Sequence, residues 1–420
     1  MKFGVGQPLR RKEDDRFLRG GARYVDDVSA PGQLHAQVCR AVVAHARIIS
    51  IDAEAARAAP GVRLVYTAAD LEGRLNPLEN EFPLIQADGS PAAPATNPHL
   101  ARDAVRYAGQ PIAFVVAETA EAAKDAAELI EVDYEDLPVV VDGPDALAPG
   151  APQLHAGAPG NLAYRWTIGD EAATDAAFAA AAKTVSVEVL NQRIVVCAME
   201  PRACNAAYDA ASGRWSIWGA TQGSHALRAK LSAQLGVPAE RIRVRTPDVG
   251  GGFGMKLQAH PEDALVALAA KDLGKPVKWT ADRSESFLSD AQGRDMTSRA
   301  EGAFDADGRV LAMRFSTVSN LGAYYSTFGA AVHTAFSAPI SGGMYDVPAF
   351  HHEVRGAFTN TTPTDAYRGA GRPEVIHVTE QLIEAGARAF GMDRAEFRRL
   401  NLVKAAQVPY ATHGGFVFDS

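Results

Sequence analysis

Three stretches of this 420-residue chain combine residue types that could do chemistry. The first is Asp248-Val-Gly-Gly-Gly-Phe-Gly-Met-Lys256. Gly250, Gly251 and Gly252, followed by Phe253 and Gly254, remove the Cβ atoms that would keep a bulky or anionic group from the backbone amides. No Gly-Lys-Ser/Thr follows, so this is not a phosphate loop, and Met255 breaks the Gly-x-Gly-x-x-Gly spacing. Taken alone, the run reads first as a tight turn that needs positive φ. The second stretch is Asp365-Ala-Tyr-Arg-Gly-Ala-Gly-Arg-Pro-Glu374. Arg368 and Arg372 could fork onto phosphate or carboxylate, and the helix expected next would favour an anion at its start. A polar loop with surface arginines is the alternative. The third is Trp218-Gly-Ala-Thr-Gln-Gly223, where the Gln222 carboxamide could donate to an oxo group or partner a helix N-terminus.

These loops need elements to carry them. Val38–Val43, Val62–Tyr66 and the apolar run from Pro111 suit strands, with short helices at Asp52–Ala59 and Thr119–Ile130. Strand, helix and then Val132-Asp-Tyr in that spacing predict a βαβ unit. The Pro/Gly/Ala-rich stretch Asp142–Asn161 reads as a linker. Beyond it, helices are expected over Ser224–Leu235, capped by Gly236, and Pro261–Leu273, stopped by Gly274. Strands are expected at Ile242–Val244, just before the glycine run, and at Val277–Thr280. Ser298–Phe304 and Arg309–Val318 read as a hairpin, and Pro373–Phe390 as a final helix. The pattern is mixed α/β.

Apolar residues make up 47% and charged residues 22%, as in an ordinary globular protein of two or three domains at ~150 residues each. With 42 basic and 50 acidic side chains the net charge is −8, which gives no footprint for nucleic acid. Three cysteines, Cys39, Cys197 and Cys204, are too few for a disulfide scaffold or an iron–sulfur cluster. No apolar run suggests a membrane span, and Lys2, Arg10, Arg11 and Lys12 are followed by Glu13, Asp14 and Asp15 without an import-signal pattern, so a cytosolic protein is expected. His-Glu-x-x-His, Cys-x-x-Cys and Gly-x-Ser-x-Gly are absent. Glu200, in Met199-Glu-Pro-Arg202, is expected to partner Arg202 or another cation. His351 and His352 would point to opposite sides of a strand, in solvated or packing roles.

Taken in order, these motifs resemble the large, molybdenum-binding subunit of the xanthine oxidase family of molybdenum hydroxylases, in its aerobic carbon-monoxide-dehydrogenase-like branch. The resemblance runs through Gly6-Gln-Pro8, Arg10-Arg-Lys-Glu-Asp14, Tyr24-Val-Asp-Asp27, Val105-Arg-Tyr-Ala-Gly-Gln-Pro111, Val132-Asp-Tyr-Glu135, Met199-Glu-Pro-Arg202, Thr221-Gln222, Gly250–Gly254 and Ala366–Pro373. It implies an N-terminal hammerhead-like α/β domain over 1–145, a linker over 146–165, a first molybdopterin-binding domain over 166–405, and over 406–420 the start of a connection to a second such domain. The cofactor implied is molybdopterin, in its cytosine dinucleotide form, with molybdenum held through the pterin dithiolene and not by side chains. Gln222 and Arg368 would be catalytic. Gly251, Gly252, Phe253, Gly254, Ala366, Gly369, Ala370 and Arg398 would lie at the cofactor.

The resemblance also implies hydroxylation with water-derived oxygen, electrons leaving through an Fe-S small subunit and an FAD medium subunit in a larger hetero-oligomer. Where carbon monoxide dehydrogenase proper carries a copper-binding cysteine, this chain has Gly369, and where purine-oxidising relatives carry a glutamate it has Leu257. An aldehyde or an N-heterocycle is therefore the expected substrate. The family's glutamate base lies past a segment like Gly414–Ser420, so the chain is expected to be a fragment or one piece of a split subunit. A scaffold that binds molybdopterin without turnover is the rival expectation.

Overall fold

The computed structural model describes Gly4 and residues 6–419; Lys2 and Ser420 lie outside them. The N-terminal region runs α1 (Asp14–Leu18), β1 (Leu34–Arg40), β2 (Ala46–Asp52), α2 (Glu54–Ala58), β3 (Val62–Thr67), β4 (Ala104–Val105), β5 (Pro111–Ala117), α3 (Ala120–Glu128), β6 (Glu131–Asp136) and α4 (Gly143–Ala146). Next come β7 (Leu162–Gly169), α5 (Glu171–Ala180), β8 (Lys183–Asn191), β9 (Ala203–Asp209), β10 (Arg214–Gly219), α6 (Ser224–Leu235), β11 (Ile242–Arg245), α7 (Pro261–Leu273), β12 (Val277–Thr280) and α8 (Arg283–Ser289). The chain continues with β13 (Met296–Phe304), β14 (Val310–Gly322), α9 (Gly329–Val332), β15 (Ala349–Phe358), α10 (Arg372–Phe390) and α11 (Arg394–Asn401). The fold is mixed α/β, as expected. Gly236, Gly274 and Gly391 take the left-handed conformation that ends α6, α7 and α10.

The expected βαβ unit does not form. β5 is buried along its whole length and pairs antiparallel with β1 and β3, whereas β6 pairs antiparallel with β2 in a separate three-stranded sheet, β4-β2-β6. Glu131, Asp133 and Glu135 alternate along β6 and stay exposed, which a doubly covered parallel strand could not tolerate. The two regions also share a sheet. One seven-stranded sheet, β11-β10-β9-β12-β1-β5-β3, crosses both halves of the chain, with β1 parallel to β12. Phe114 and Val116 accordingly share a core with Trp215 and Trp279.

The stretch read as a linker is packed chain rather than a solvated tether. Leu154, Ala158 and Tyr164 are buried with Val354 and Phe358, and residues 162–165 already belong to β7. Buried Asn161 ties it together, donating to the carbonyls of Ala146 (3.0 Å) and Pro152 (2.8 Å) and accepting from Leu154 N–H (2.9 Å). Proline and glycine hide periodicity, but side-chain amides supply the missing hydrogen bonds. The other main sheet, β7-β15-β14-β13-β8, carries α10 against β8 and β13. Nor is α10 the final helix. α11 follows, too short and charged for a clear apolar stripe, yet capped by Asp393 accepting from Ala395 and Glu396 N–H. His351 and His352 of β15 are both buried, His352 Nε2 lying 2.9 Å from Thr317 Oγ1.

A buried ion network binds the halves. Arg40 of β1 donates to Glu285 (2.8 Å) and to Glu262, while Arg202 donates to Glu262 (2.7 Å) and Asp290 (2.6 Å). These carboxylates neutralise two guanidinium groups that could not be buried alone.

Burial sets the acid stability. It holds His260, His333 and His352 down at about 3, helped by Arg202 beside His260 and Arg294 beside His333. These imidazoles stay neutral in the native state while the unfolded chain takes up protons below ~6.5, so their contribution is complete above that pH and is lost as pH falls. Asp263, pushed up to about 6 by burial, opposes them by gaining its proton first in the folded state. His155, held down to about 4 by burial, adds to the histidine side, so stability is expected to fall as the pH drops from 7 to 5. Denaturant unfolding at pH 7, 6 and 5 checks this; a flat profile contradicts it.

Candidate functional site

β11 delivers the chain into the glycine run, and the turn after β15 delivers it into the arginine stretch. These two bends meet. The carbonyl of Phe253 accepts the N–H of Arg368 at 2.8 Å. Gly254, at φ +106°, lies so close to the Ala366 carbonyl that a Cβ there would overlap it. Gln222, at the turn between β10 and α6, joins from a third direction: its Oε1 accepts Gly254 N–H at 2.7 Å. The helix-cap alternative for Gln222 fails, since among the described residues its side chain bonds only Gly254 N–H and no amide of α6. With Oε1 engaged and the side chain exposed, its Nε2 is left to donate elsewhere.

Gly251 and Gly254 take the positive φ of the tight turn expected from the sequence, at +99° and +106°, and the glycines also allow close packing. A Cβ on Gly251 would meet the Phe253 ring at 2.7 Å, and one on Gly252 would meet Gln222 Cγ at 2.5 Å. The absent side chains therefore let the bend pack against its own protein neighbours. What stays unengaged is main chain: among the described residues, the N–H groups of Gly251, Gly252 and Phe253 have no acceptor. Consecutive unengaged amides in a bend of this kind favour an oxygen-rich or anionic group.

The arginine bend is braced from below. Buried Asp365 accepts Phe328 N–H (2.9 Å) and its neighbour Ala366 N–H, and burial raises its carboxyl above the usual range. Ala370 (φ 48°) and Phe253 (φ 53°) both hold left-handed backbone, a strain that only surrounding contacts can maintain. Gly369 and Gly371 flank Ala370 at φ +99° and +86°. The Arg368 side chain is exposed and makes no hydrogen bond among the described residues. Arg372 folds back onto the Gly369 carbonyl at 3.2 Å.

Arg294 was missed by the sequence reading. It donates to the Arg368 carbonyl (3.0 Å), pairs with buried Glu374 (2.7 Å) and lies over the Tyr367 ring at 4.9 Å. The readable signal was Gly293 before it, where a Cβ would strike Tyr367. Arg398, in contrast, is not brought to the bends. It sits on α11 with Glu380 (2.9 Å) and Glu384 (3.2 Å) of α10, and Glu380 lies eight residues, roughly 12 Å, along that helix from Arg372. Glu200 does not pair with Arg202, whose guanidinium is taken by Glu262 and Asp290; its cation is Lys256. Beside the bends, Met199 (88%) and Phe253 (40%) expose apolar surface.

Comparisons with known proteins identify the family. Residues 154–402 match the molybdopterin cofactor-binding domain, and residues 19–138 match the a/b hammerhead domain of aldehyde oxidase and xanthine dehydrogenase. The chain belongs to the aldehyde oxidase and xanthine dehydrogenase family of molybdopterin-binding proteins. It is 37% identical to the carbon monoxide dehydrogenase large chain of Hydrogenophaga pseudoflava, over 97% of this chain and 51% of that one. It is 31% identical to the nicotinate dehydrogenase large molybdopterin subunit of Eubacterium barkeri, over 91% of this chain and 86% of the relative. Quinoline 2-oxidoreductase from Pseudomonas putida 86 superposes with a TM-score of 0.93 at 35% identity, covering 100% of this chain and 52% of that one. This family member thus spans about half the length of the carbon monoxide dehydrogenase chain but most of the nicotinate dehydrogenase subunit. Among the described residues, no helix is long and apolar enough to cross a membrane.

The contact between the bends makes Gly254→Ala a direct probe. Overpacking against Ala366 should cost about 1–3 kcal/mol and speed amide exchange at Arg368. Urea unfolding with residue-level hydrogen exchange reads both, and a variant unchanged in either would break the assignment.

Proposed function

We propose that this chain is one half of the cradle for a molybdopterin–molybdenum cofactor, in its cytosine dinucleotide form, within an oxidoreductase that hydroxylates an aldehyde or N-heterocyclic carbon. The observation that carries this reading is the Phe253–Arg368 hydrogen bond, which joins the bend carrying the unengaged Gly251–Phe253 amides to the bend carrying the unpaired Arg368 guanidinium, with Gln222 tied to the first bend through Gly254. The amides, the guanidinium and the Gln222 carboxamide nitrogen are all donors, which suits a cofactor rich in oxygen and sulfur acceptors. When bound, the cofactor supplies the two-electron redox chemistry and an oxygen derived from water.

The chain's own residues bind and orient. Gln222 donates to an oxo acceptor, with its carboxamide held in one orientation by Gly254 N–H. The glycine-bend amides and the backbone of Ala366, Gly369 and Ala370 hold the face of the cofactor. Arg368 holds the substrate or a cofactor oxygen by charge-assisted hydrogen bonds. A complementary molybdopterin-binding half, on another segment or subunit, supplies the general base and covers the apolar surface at Met199 and Phe253. Fe-S and FAD subunits take the electrons. The nicotinate and quinoline chemistry named for two relatives favours the N-heterocycle.

Metal and pterin analysis of the chain purified with its complementary half and Fe-S and FAD subunits tests this, followed by dye reduction with aldehydes and azaheterocycles. Molybdenum and pterin in near-equal amount, with turnover, are expected. Gln222→Ala should retain molybdenum and lose roughly a hundredfold in kcat, the scale of one removed donor. Arg368→Ala should lose about tenfold in kcat/KM. Cofactor bound without turnover of any such substrate would favour the scaffold reading, and no pterin at all would end the proposal.

A further inference from the structure

Lys256 leaves the glycine bend and turns back beneath it, its side chain fully buried. Its ammonium donates to Glu200 Oε2 (2.8 Å) and to the Glu200 carbonyl (2.7 Å). The same Oε2 accepts Gly250 N–H at 2.8 Å, and Glu200 N–H donates to the Gly250 carbonyl at 3.0 Å. A Cβ on Gly250 would meet Glu200 Cβ at 2.5 Å, so this approach needs glycine. At the exit of the bend, the Lys256 carbonyl accepts both Gln222 N–H (3.0 Å) and Thr221 Oγ1 (3.0 Å). One carboxylate thus holds the entry of the bend and, through lysine, its exit, and the exit holds the backbone of Gln222.

We infer that Glu200 and Lys256 are a positioning pair that sets the shape of the glycine bend and the placement of Gln222, so that the Gly251–Phe253 amides and the Gln222 carboxamide meet one ligand together. This rests on the cofactor reading and adds to it residues that would touch neither cofactor nor substrate. An apolar pair of similar volume would be at least as stabilising as a buried ion pair. Two apolar side chains could not, however, accept the Gly250 amide at one end and donate to a carbonyl at the other. Burial lowers the Lys256 ammonium below the ordinary lysine range, with its hydrogen bond and charge pairing to Glu200 opposing that shift.

Hydrogen exchange on the full, cofactor-free chain tests the pair. In Lys256→Met, amides of 250–257 and 366–370 should exchange at least about tenfold faster, while α7 keeps its protection. The double variant Glu200→Met/Lys256→Met removes both charges and serves if the single variant does not fold. It should recover the parent Tm yet keep the fast exchange of the bend. Recovery of bend protection together with Tm would show a merely stabilising pair and overturn the inference, as would unchanged exchange in both variants. Pterin content of the assembled enzyme is measured separately. A loosened bend with full pterin content would leave the positioning role standing and count against the cofactor reading.

Discussion

Everything at the candidate site depends on two bends approaching closely enough for one backbone hydrogen bond, from Arg368 N–H to the Phe253 carbonyl. That approach is possible only where no side chain intervenes, and Gly254 is the point of contact. Neither bend is relaxed: Phe253 and Ala370 both sit at positive φ. Such conformations survive when neighbours over-determine them. Asp365 and Arg294 brace one bend, Glu200 and Lys256 the other, and Gln222 spans from a third turn.

Of the bracing groups, Lys256 and Asp365 are buried and Glu200 and Arg294 part-buried, with Lys256 paired to Glu200 and Arg294 to Glu374. Buried ion pairs also operate at larger scale. Arg40, Arg202, Glu262, Glu285 and Asp290 tie the first strand of the hammerhead region to α7 and α8. The seven-stranded sheet runs through both regions, so the turn bearing Gln222 and the strand leading into the glycine bend share one frame with the N-terminal region. Rigid strands hold the ends of the loops, and the loops carry the donors.

The two bends and the turn bearing Gln222 lie beside the exposed apolar side chains of Met199 and Phe253. That fits a family in which some relatives are about twice as long as this chain while a nicotinate dehydrogenase subunit is nearly matched in length. The chemistry proposed for the bends follows from the donor set: amides, a carboxamide and a guanidinium orient acceptors but do not abstract protons.

Much was legible in the sequence because its causes are local. Helix limits at Gly236, Gly274 and Gly391 follow from glycine's freedom to adopt the left-handed conformation that ends a helix. The apolar run of β5 announced a buried strand, and the order of motifs announced the family. Partner choice was not legible. Whether β6 joined β5 or β2, whether Glu200 took Arg202 or Lys256, and whether Arg398 reached the bends were decided by packing between segments far apart in the chain. The Asp142–Asn161 stretch looked like a linker because proline and glycine carry no periodicity, yet Asn161 and Tyr164 bury it. The sequence alone determined which backbone shapes were allowed, since φ preference and apolar spacing are properties of single residues and near neighbours. The tertiary structure decided which bends meet, because a hydrogen bond between residues 253 and 368 exists only once two sheets have fixed where both loops end.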